Sequence, residues 1–428
     1  FLPTAPKPRL SATMPVDHRA LAGAWLDARW TEAAVRRRPA LQHRQQRLWA
    51  RLQPAIARTP AIAALAGRPL GAFPVTTPQA MRADFANWNT LGLTTAEVEG
   101  AARAAEGGED GEVRPGVVAG YSTGTSGSRG VFLSTPVERG LYLGHALARL
   151  LSTSALLGGP RVALCLRADN RLYGDVAATG RVRFRHFGLD LPADERRRAL
   201  EAFGPDVLIA PSHVLAELAR AGARLNLRRL FYGAESMGEA ERGWIGERLG
   251  VRPDPIYQAT EGFIGCACRL GTLHLNEDVL VVELEPTSAA GCFRPIVTDL
   301  RRTSQPMVRV RLDDLIEPLE SPCPCGSPRL AVRGVAGRVD DLWTWGETVV
   351  TPRMVTEAVE GVASPDVRWI AAASPDGVRV GTEPEQAETI VAAVSRLLRA
   401  RGVSAPVAAE PLATIEHPKR RRVRWRHA

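Results

Sequence analysis

From residue 18 to residue 66, Leu21, Trp25, Trp30, Leu41 and Leu48 recur among Arg, Gln and Ala with few breakers, a spacing that predicts helix. Pro60 and the Gly67-Arg-Pro69 pair end it. The polar loop Gly107-Gly-Glu-Asp-Gly111 leads into a short apolar strand, Val117-Val-Ala-Gly-Tyr121. Strand-like runs at Arg161–Leu166, Val182–Phe187, Asp206–Ala210 and Leu230–Tyr232 then alternate with helical periodicity near 192–203 and 212–223. That alternation predicts an α/β sheet with crossover helices. From Leu273 to Val335 the strands shorten and read as hairpins of a β-rich subdomain, and about ninety residues after Asp340 suffice for a separate lid.

With 428 residues the chain can bury a sizeable core in one large domain or in two to three ordinary ones. A composition of 45% hydrophobic and 24% charged residues excludes the disordered, collagenous and disulfide-scaffold classes. No apolar run approaches the length of a membrane span. Phe1-Leu2-Pro3 carries neither an initiator Met nor a signal-peptide pattern, so the start reads as trimmed and a cytoplasmic enzyme is the expectation. The formal charge of +9 would suit an anionic partner. Its distribution weakens that reading, because the arginines are spread along the chain among Asp and Glu, as on solvated faces. Only Lys7 and Lys419 are lysines, which makes Lys419 the more informative.

The segment Tyr121-Ser-Thr-Gly-Thr-Ser-Gly-Ser-Arg-Gly130 directly follows a strand and consists almost wholly of glycine and small hydroxyls. Glycines let backbone N–H groups approach phosphate oxygens, and Ser and Thr add donors. It is neither a Walker A loop nor a dinucleotide fingerprint, and alone it fits a flexible surface loop equally well.

Later segments change that balance. Ser122 to Gly130 resembles the phosphate-binding loop of the adenylate-forming superfamily of acyl-CoA synthetases, a Ser/Thr/Gly run closed by a basic residue. Tyr232-Gly-Ala-Glu-Ser236 resembles that family's adenine-binding segment, and Tyr257-Gln-Ala-Thr-Glu261 its Tyr-x-x-Thr-Glu motif. Arg309-Val-Arg-Leu-Asp-Asp314 is similar to the Arg-Tyr-Arg-x-x-Asp element, and Gly337-Arg-Val-Asp-Asp341 to the hinge motif Gly-Arg-x-Asp-Asp. Motifs in family order along most of a chain are far more specific than any one of them. Leu273-His-Leu-Asn-Glu-Asp278 and Cys323-Pro-Cys-Gly326 resemble the phenylacetate-CoA ligase branch. Met81, Phe85, Asn89, Thr90 and Arg129-Gly-Val-Phe132 are similar to its shorter adenylate-forming members, found with aromatic-polyene and related biosynthesis.

The resemblance implies an α/β fold: a large multi-sheet amino-terminal domain, 1–339, with a β-rich subdomain, and a small mobile carboxyl-terminal α+β domain, 340–428, turning about Asp340. It also implies roles for residues. Ser122, Thr123, Gly124, Thr125, Ser126 and Gly127 would hold the β and γ phosphates of ATP, with Arg129 in the loop's basic position. Gly233, Ala234 and Glu235 would meet adenine, Tyr257 would belong to the nucleotide site, and Asp314 would accept the ribose hydroxyls beside Arg338. Thr260 would donate to the α-phosphate, Glu261 would ligate Mg²⁺, and Lys419 would bridge carboxylate and phosphates during adenylation. Phe184, His186, Phe187, Tyr232, Gly262 and Phe263 are candidates for an acyl pocket, where an aromatic wall would stack a ring.

Six cysteines in a chain this long do not make a secreted framework, and their clustering points to metal. Cys323 and Cys325 form a Cys-Pro-Cys-Gly turn, and Cys268 precedes His274 by six residues. Three thiolates and one imidazole suit a closed, structural Zn²⁺ site, with Cys268 preferred to the nearby Cys266 from the family's register.

The expected activity is ATP- and Mg²⁺-dependent conversion of a carboxylic acid, in the family's pattern an aryl acid, to an acyl-adenylate. Transfer to the thiol of CoA or of a carrier-protein phosphopantetheine would follow. Transfer to an amine or another nucleophile is the alternative. A nucleic-acid-binding protein is the other class, but it requires arginines on one face with exposed aromatics between them, and only the tail after Glu416 has that look.

Overall fold

The helical stretch expected over 18–66 is two helices, α1 (His18–Ala34) and α2 (Arg38–Ile56), followed by short 3-10 turns. The break has a local cause. Pro39 has no N–H to donate, so it fits the first turn of a new helix and not the interior of a continuing one. The computed structural model describes residues 16–107, 110–121, 130–166, 182–233, 235–412 and 421–426.

Helix α3 (Thr95–Glu106) opens on a capping box of Thr94 and Glu97. It packs on a small antiparallel sheet of β1 (Glu112–Arg114), β2 (Val117–Tyr121) and β3 (Val131–Ser134). A second capping box, Thr135 with Glu138, starts α4 (Pro136–Leu150).

The alternating stretch folds as its pattern predicts. Strands β4 (Arg161–Leu166), β5 (Arg183–Gly188), β6 (Val207–Pro211), β7 (Arg229–Gly233) and β8 (Asp254–Ala259) pair in parallel in the spatial order β5-β4-β6-β7-β8. Helices α5 (Ala193–Phe203), α6 (Ser212–Arg220) and α7 (Glu239–Leu249) are the crossovers between them. Parallel strands buried by helices need near-continuous apolar runs, and Leu208, Leu230, Val214, Leu218 and Ile245 are all fully or nearly fully buried here.

At β8 the pairing turns antiparallel. β9 (Gly262–Ala267) returns beside β8, and the sheet continues through β10 (Leu273–Leu275), β15 (Ala331–Arg338), β14 (Asp314–Pro318), β12 (Phe293–Asp299) and β11 (Leu280–Pro286), with β13 (Val310–Arg311) paired to β12. The β-rich segment is therefore an extension of the α/β sheet. Beyond the turn Val339–Asp341 come β16 (Trp343–Trp345), β17 (Thr348–Val350), α8 (Pro352–Glu360), β18 (Trp369–Ser374), β19 (Gly377–Thr382), α9 (Pro384–Ala400), β20 (Val407–Pro411) and β21 (Val423–Trp425). The last four strands form a sheet in the order β20-β19-β18-β21, over a core of its own built from Trp343, Val355, Ile390, Val394 and Val423. Among the described residues no helix is long and apolar enough to cross a membrane.

Candidate active site

β8 and β9 form a hairpin whose two-residue turn is Thr260-Glu261, at the point where parallel pairing gives way to antiparallel. Gly262 follows with φ +148°, a region that side-chain-bearing residues rarely adopt, so the turn requires glycine there. Glu261 is only 5% exposed. Burial pushes its carboxyl up to about 7; its own backbone N–H and the Arg302 charge oppose the shift, while Asp314 and Asp313 add to it.

Beside the turn, Tyr257 Oη donates to Asp314 Oδ2 at 2.8 Å. Burial first, and then the Asp314 charge, hold the phenol well above its ordinary range. Asp314 and Arg338 are a cross-strand pair of β14 and β15, and Arg338 Nε lies 3.8 Å from Asp314 Oδ1. The sheet thus brings Tyr257, Glu261, Asp314 and Arg338 together. Arg309 and Arg311 of the same motif instead bind Glu283 and Glu285 across the sheet. Asp340 is exposed in the turn after β15.

The rest of the expected nucleotide and acyl sites is placed as follows. Ser122 through Arg129, Ala234 and Lys419 lie outside the described residues. Gly233 ends β7. The Glu235 carboxylate is tied to the start of α6, accepting from Ser212 Oγ at 2.7 Å and pairing with His213 Nδ1 at 2.8 Å. A cavity of about 130 Å³ opens beside the turn, lined by Thr260, Gly262 and Phe263 with Tyr142, His145 and Arg301. Phe184, His186, Phe187 and Tyr232 are not part of its wall. Strand alternation separates them: Phe187 faces the core with Leu200 and Phe203, on the opposite side of β5 from Phe184 and His186, so the three do not share one wall. Tyr232 packs against the same core as Phe187.

Residues outside the motifs hold the turn in place. Arg302 Nη1 donates to the Thr260 carbonyl at 2.8 Å, and Nη2 donates to the Leu133 carbonyl at 3.1 Å and to Gln305 Oε1 at 2.9 Å. Gln305 accepts from Leu133 N at 3.1 Å and donates to the Val131 carbonyl at 3.2 Å. Arg302 and Gln305 therefore staple β3, the strand after the glycine-hydroxyl segment, to the Thr260 turn. Glu138 anchors the staple, accepting from Thr303 N, Ser304 N and Ser304 Oγ, each at 2.7 Å. Burial alone would raise this carboxyl; the bonds from Ser304 and Thr135 outweigh it and hold it below the usual range. The Asn89-Thr90 segment docks on the same loop, Thr90 N donating to the Ser304 carbonyl at 2.9 Å. Of this arrangement the Thr135–Glu138 capping box has a local signature in sequence, and Asn89, Thr90 and Val131 fall in segments of the family resemblance; Arg302 and Gln305 have neither.

The cysteine cluster lies at the other end of β9. The ligand atoms of Cys268, His274, Cys323 and Cys325 all fall within 4.8 Å of one another, while Cys266 is a buried thiol outside the group. His274 Nδ1 faces the Arg329 carbonyl at 3.0 Å, which leaves Nε2 turned to the cluster, 3.4 Å from Cys325 Sγ. Leu270 N and Ser327 N donate to Cys268 Sγ and Cys325 Sγ, each at 3.4 Å. The six-residue strand between cluster and turn spans roughly 20 Å, so the cluster lies well apart from Glu261.

Solved structures share this architecture. A 2-hydroxyisobutyryl-CoA ligase in its postadenylation state, bound to 2-HIB-AMP, is 20% identical over 99% of this chain and 93% of its own, with a TM-score of 0.63. The amide bond synthetase McbA from Marinactinospora thermotolerans is 16% identical over 71% of this chain and 68% of its own, with a TM-score of 0.52. The chain has the fold of adenylate-forming ligases. No family model and no curated protein matches the sequence. The Thr260–Glu261 turn lies at the carboxyl end of β8, the last of the parallel strands, the end at which open α/β sheets bind ligands.

Proposed function

We propose that this protein is an ATP-dependent acid–thiol ligase. A carboxylate oxygen of the acid bonds to the α-phosphorus of ATP as the bond to pyrophosphate breaks. A thiol sulfur then bonds to the acyl carbon, AMP leaves, and the thiol proton passes to solvent. The observation that carries this reading is the convergence of Tyr257, Glu261, Asp314 and Arg338, drawn from three separated motifs, at one turn of the sheet. Asp314, which accepts from Tyr257, would accept ribose hydroxyls, and Thr260 would donate to the α-phosphate.

An anion attacking a triphosphate faces repulsion that the site must offset. Glu261 is a hard oxygen ligand whose burial disfavours its charge until a cation arrives, and this fits Mg²⁺, which would neutralise phosphate charge there. The sulfur-rich cluster fits a closed, structural Zn²⁺ instead. In the same reading the body runs to residue 339, the lid is 340–428 with its hinge at Asp340, and Lys419 serves adenylation. The acid is aryl, and the acceptor is CoA or a carrier-protein phosphopantetheine. An amine is the second acceptor to test, because the fold is shared with an amide bond synthetase.

The test is ATP–pyrophosphate exchange across a panel of aryl and aliphatic acids, followed by product analysis with CoA, a carrier protein and amines. Exchange that depends on one class of acid supports the proposal. Absence of exchange with every acid, in protein that stays folded, overturns it.

A further inference from the structure

The cavity beside the Thr260 turn carries two charged side chains that the staple does not use. Asp299 ends β12, and its Oδ1 accepts from Arg301 N at 2.8 Å and from Arg302 N at 3.2 Å. Its Oδ2 lies beside Gly262, where a Cβ would stand 3.3 Å from it. Arg302 uses its terminal nitrogens on Thr260, Leu133 and Gln305. Among the described residues, neither Asp299 Oδ2 nor the neighbouring Arg301 guanidinium has a hydrogen-bond partner.

Both groups are held away from bulk water. Burial lowers the Arg301 pKa, with the Asp299 charge first among those that oppose it, and burial raises the Asp299 carboxyl against the Arg301 charge. His145, lowered mainly by burial, also feels the Arg301 charge. Arg301 therefore sits close to two other residues of the cavity wall. Desolvated polar groups without partners are costly, and a ligand that supplies the missing bonds offsets that cost.

Size and charge narrow the ligand. Phe132, Leu141, Val279 and Phe263 supply apolar wall, and the Phe263 ring is set edge-on by Tyr142 and His145, with centroids 6.3 Å and 6.0 Å away. The cavity's volume of about 130 Å³ is near the roughly 150 Å³ of an apolar cavity that holds benzene, which suits one six-membered ring and not a nucleotide. Glu138 and Arg302 also line it, so the negative charges of Glu138 and Asp299 are matched by those of the two arginines. A second carboxylate or an ammonium on the ligand would meet one attraction and one repulsion at Asp299 and Arg301. A hydroxyl satisfies both, donating to Asp299 Oδ2 and accepting from Arg301.

The geometry points to a specificity pocket for a single-ring acid that bears a hydroxyl, read by Asp299 as acceptor and Arg301 as donor. This deepens the ligase reading above and rests on it for the acid, whose carboxylate would point to the Thr260 turn. A pocket built to bond a hydroxyl rejects the analogue that lacks it, because its own buried polar groups are then left unpaired.

The test measures kcat/KM in pyrophosphate exchange with benzoates hydroxylated at each ring position, with benzoate, and with the matching fluorobenzoates, which keep the size and cannot donate. Binding of the same acids to the parent is followed separately by calorimetry. One hydroxybenzoate should exceed both benzoate and its fluoro analogue by roughly a hundredfold or more. Arg301→Met and Asp299→Asn should each reduce that preference about tenfold or more, mainly through loss with the hydroxylated acid. Equal losses with hydroxylated and unsubstituted acids would put Arg301 on the reacting carboxylate and overturn the inference. Exchange by the parent without the preference overturns it too, with the ligase reading intact. If no acid supports exchange, the ligase reading fails; selective binding of a hydroxybenzoate then upholds the pocket, and unselective or absent binding removes it as well.

Discussion

Around Thr260 and Glu261 the fixing bonds tie the large sheet to the small β1-β2-β3 sheet and end mostly on backbone carbonyls: Arg302 to Thr260 and Leu133, Gln305 to Val131, with Tyr257 reaching the carboxylate of the strand residue Asp314. Around Arg422 they run from side chain to side chain, to Glu241 on a helix of a unit with which it shares no sheet. The difference is one of reversibility. Moving the turn would break a ladder of strand pairs together with the staple, whereas undocking the carboxyl-terminal unit exchanges a few ion pairs for water. In the proposed reaction, fixed donors would suit the turn, where charge would develop, and releasable bonds would suit the unit that would move.

That contrast can be broken first at the staple. Arg302→Ala should lower adenylation on the order of a hundredfold, mainly in kcat, because the Thr260 carbonyl loses its anchor. Arg302→Lys keeps one donor and should recover part of the rate. An effect confined to the KM for ATP would place Arg302 in binding rather than in positioning.

Removing the far anchor should act on stability and not on chemistry. Cys323→Ser combined with Cys325→Ser should abolish about one bound zinc per chain and cost several kcal/mol, while the folded fraction keeps its exchange rate. Metal analysis with thermal melts is the check, and zinc-free parental protein of full stability would contradict the metal site.

The smallest effect concerns the cavity wall. His145 is buried and neutral, its pKa lowered to about 4 by burial, with the Asp278 charge and hydrogen bond opposing and Arg301 and Arg149 adding. As pH falls below about 6.5 the unfolded chain takes up a proton that the folded chain refuses, so stability falls between pH 6.5 and 4. Between pH 7 and pH 5 the parent should lose about 2 kcal/mol more than His145→Gln. Parallel pH profiles of the two would show that the imidazole is not buried neutral.

What the sequence made legible follows the range of the interactions. Short motifs foretold that Tyr257, Glu261, Asp314 and Arg338 belong together, because each is a few residues long and their order is fixed along the chain. The parallel strands were legible from apolar runs, and the single helix expected over 18–66 divided at a proline. Arg302, Gln305 and Glu241 carry no signature, since their partners lie 42, 174 and 181 positions away. The placement of Phe187 depends on which face of β5 meets the helices, and the run of arginines near the end gave no sign of its partners Asp341 and Glu241.

The most direct measurement of the central claim is acid-dependent pyrophosphate exchange by Glu261→Gln, with thermal unfolding recorded on the same sample. Replacing the carboxylate by an amide keeps the shape of the turn and removes the charge. Exchange should fall roughly a hundredfold or more, with a melting temperature no lower than that of the parent. Exchange at the parental rate in the folded variant would show that the Thr260–Glu261 turn is not the reaction centre.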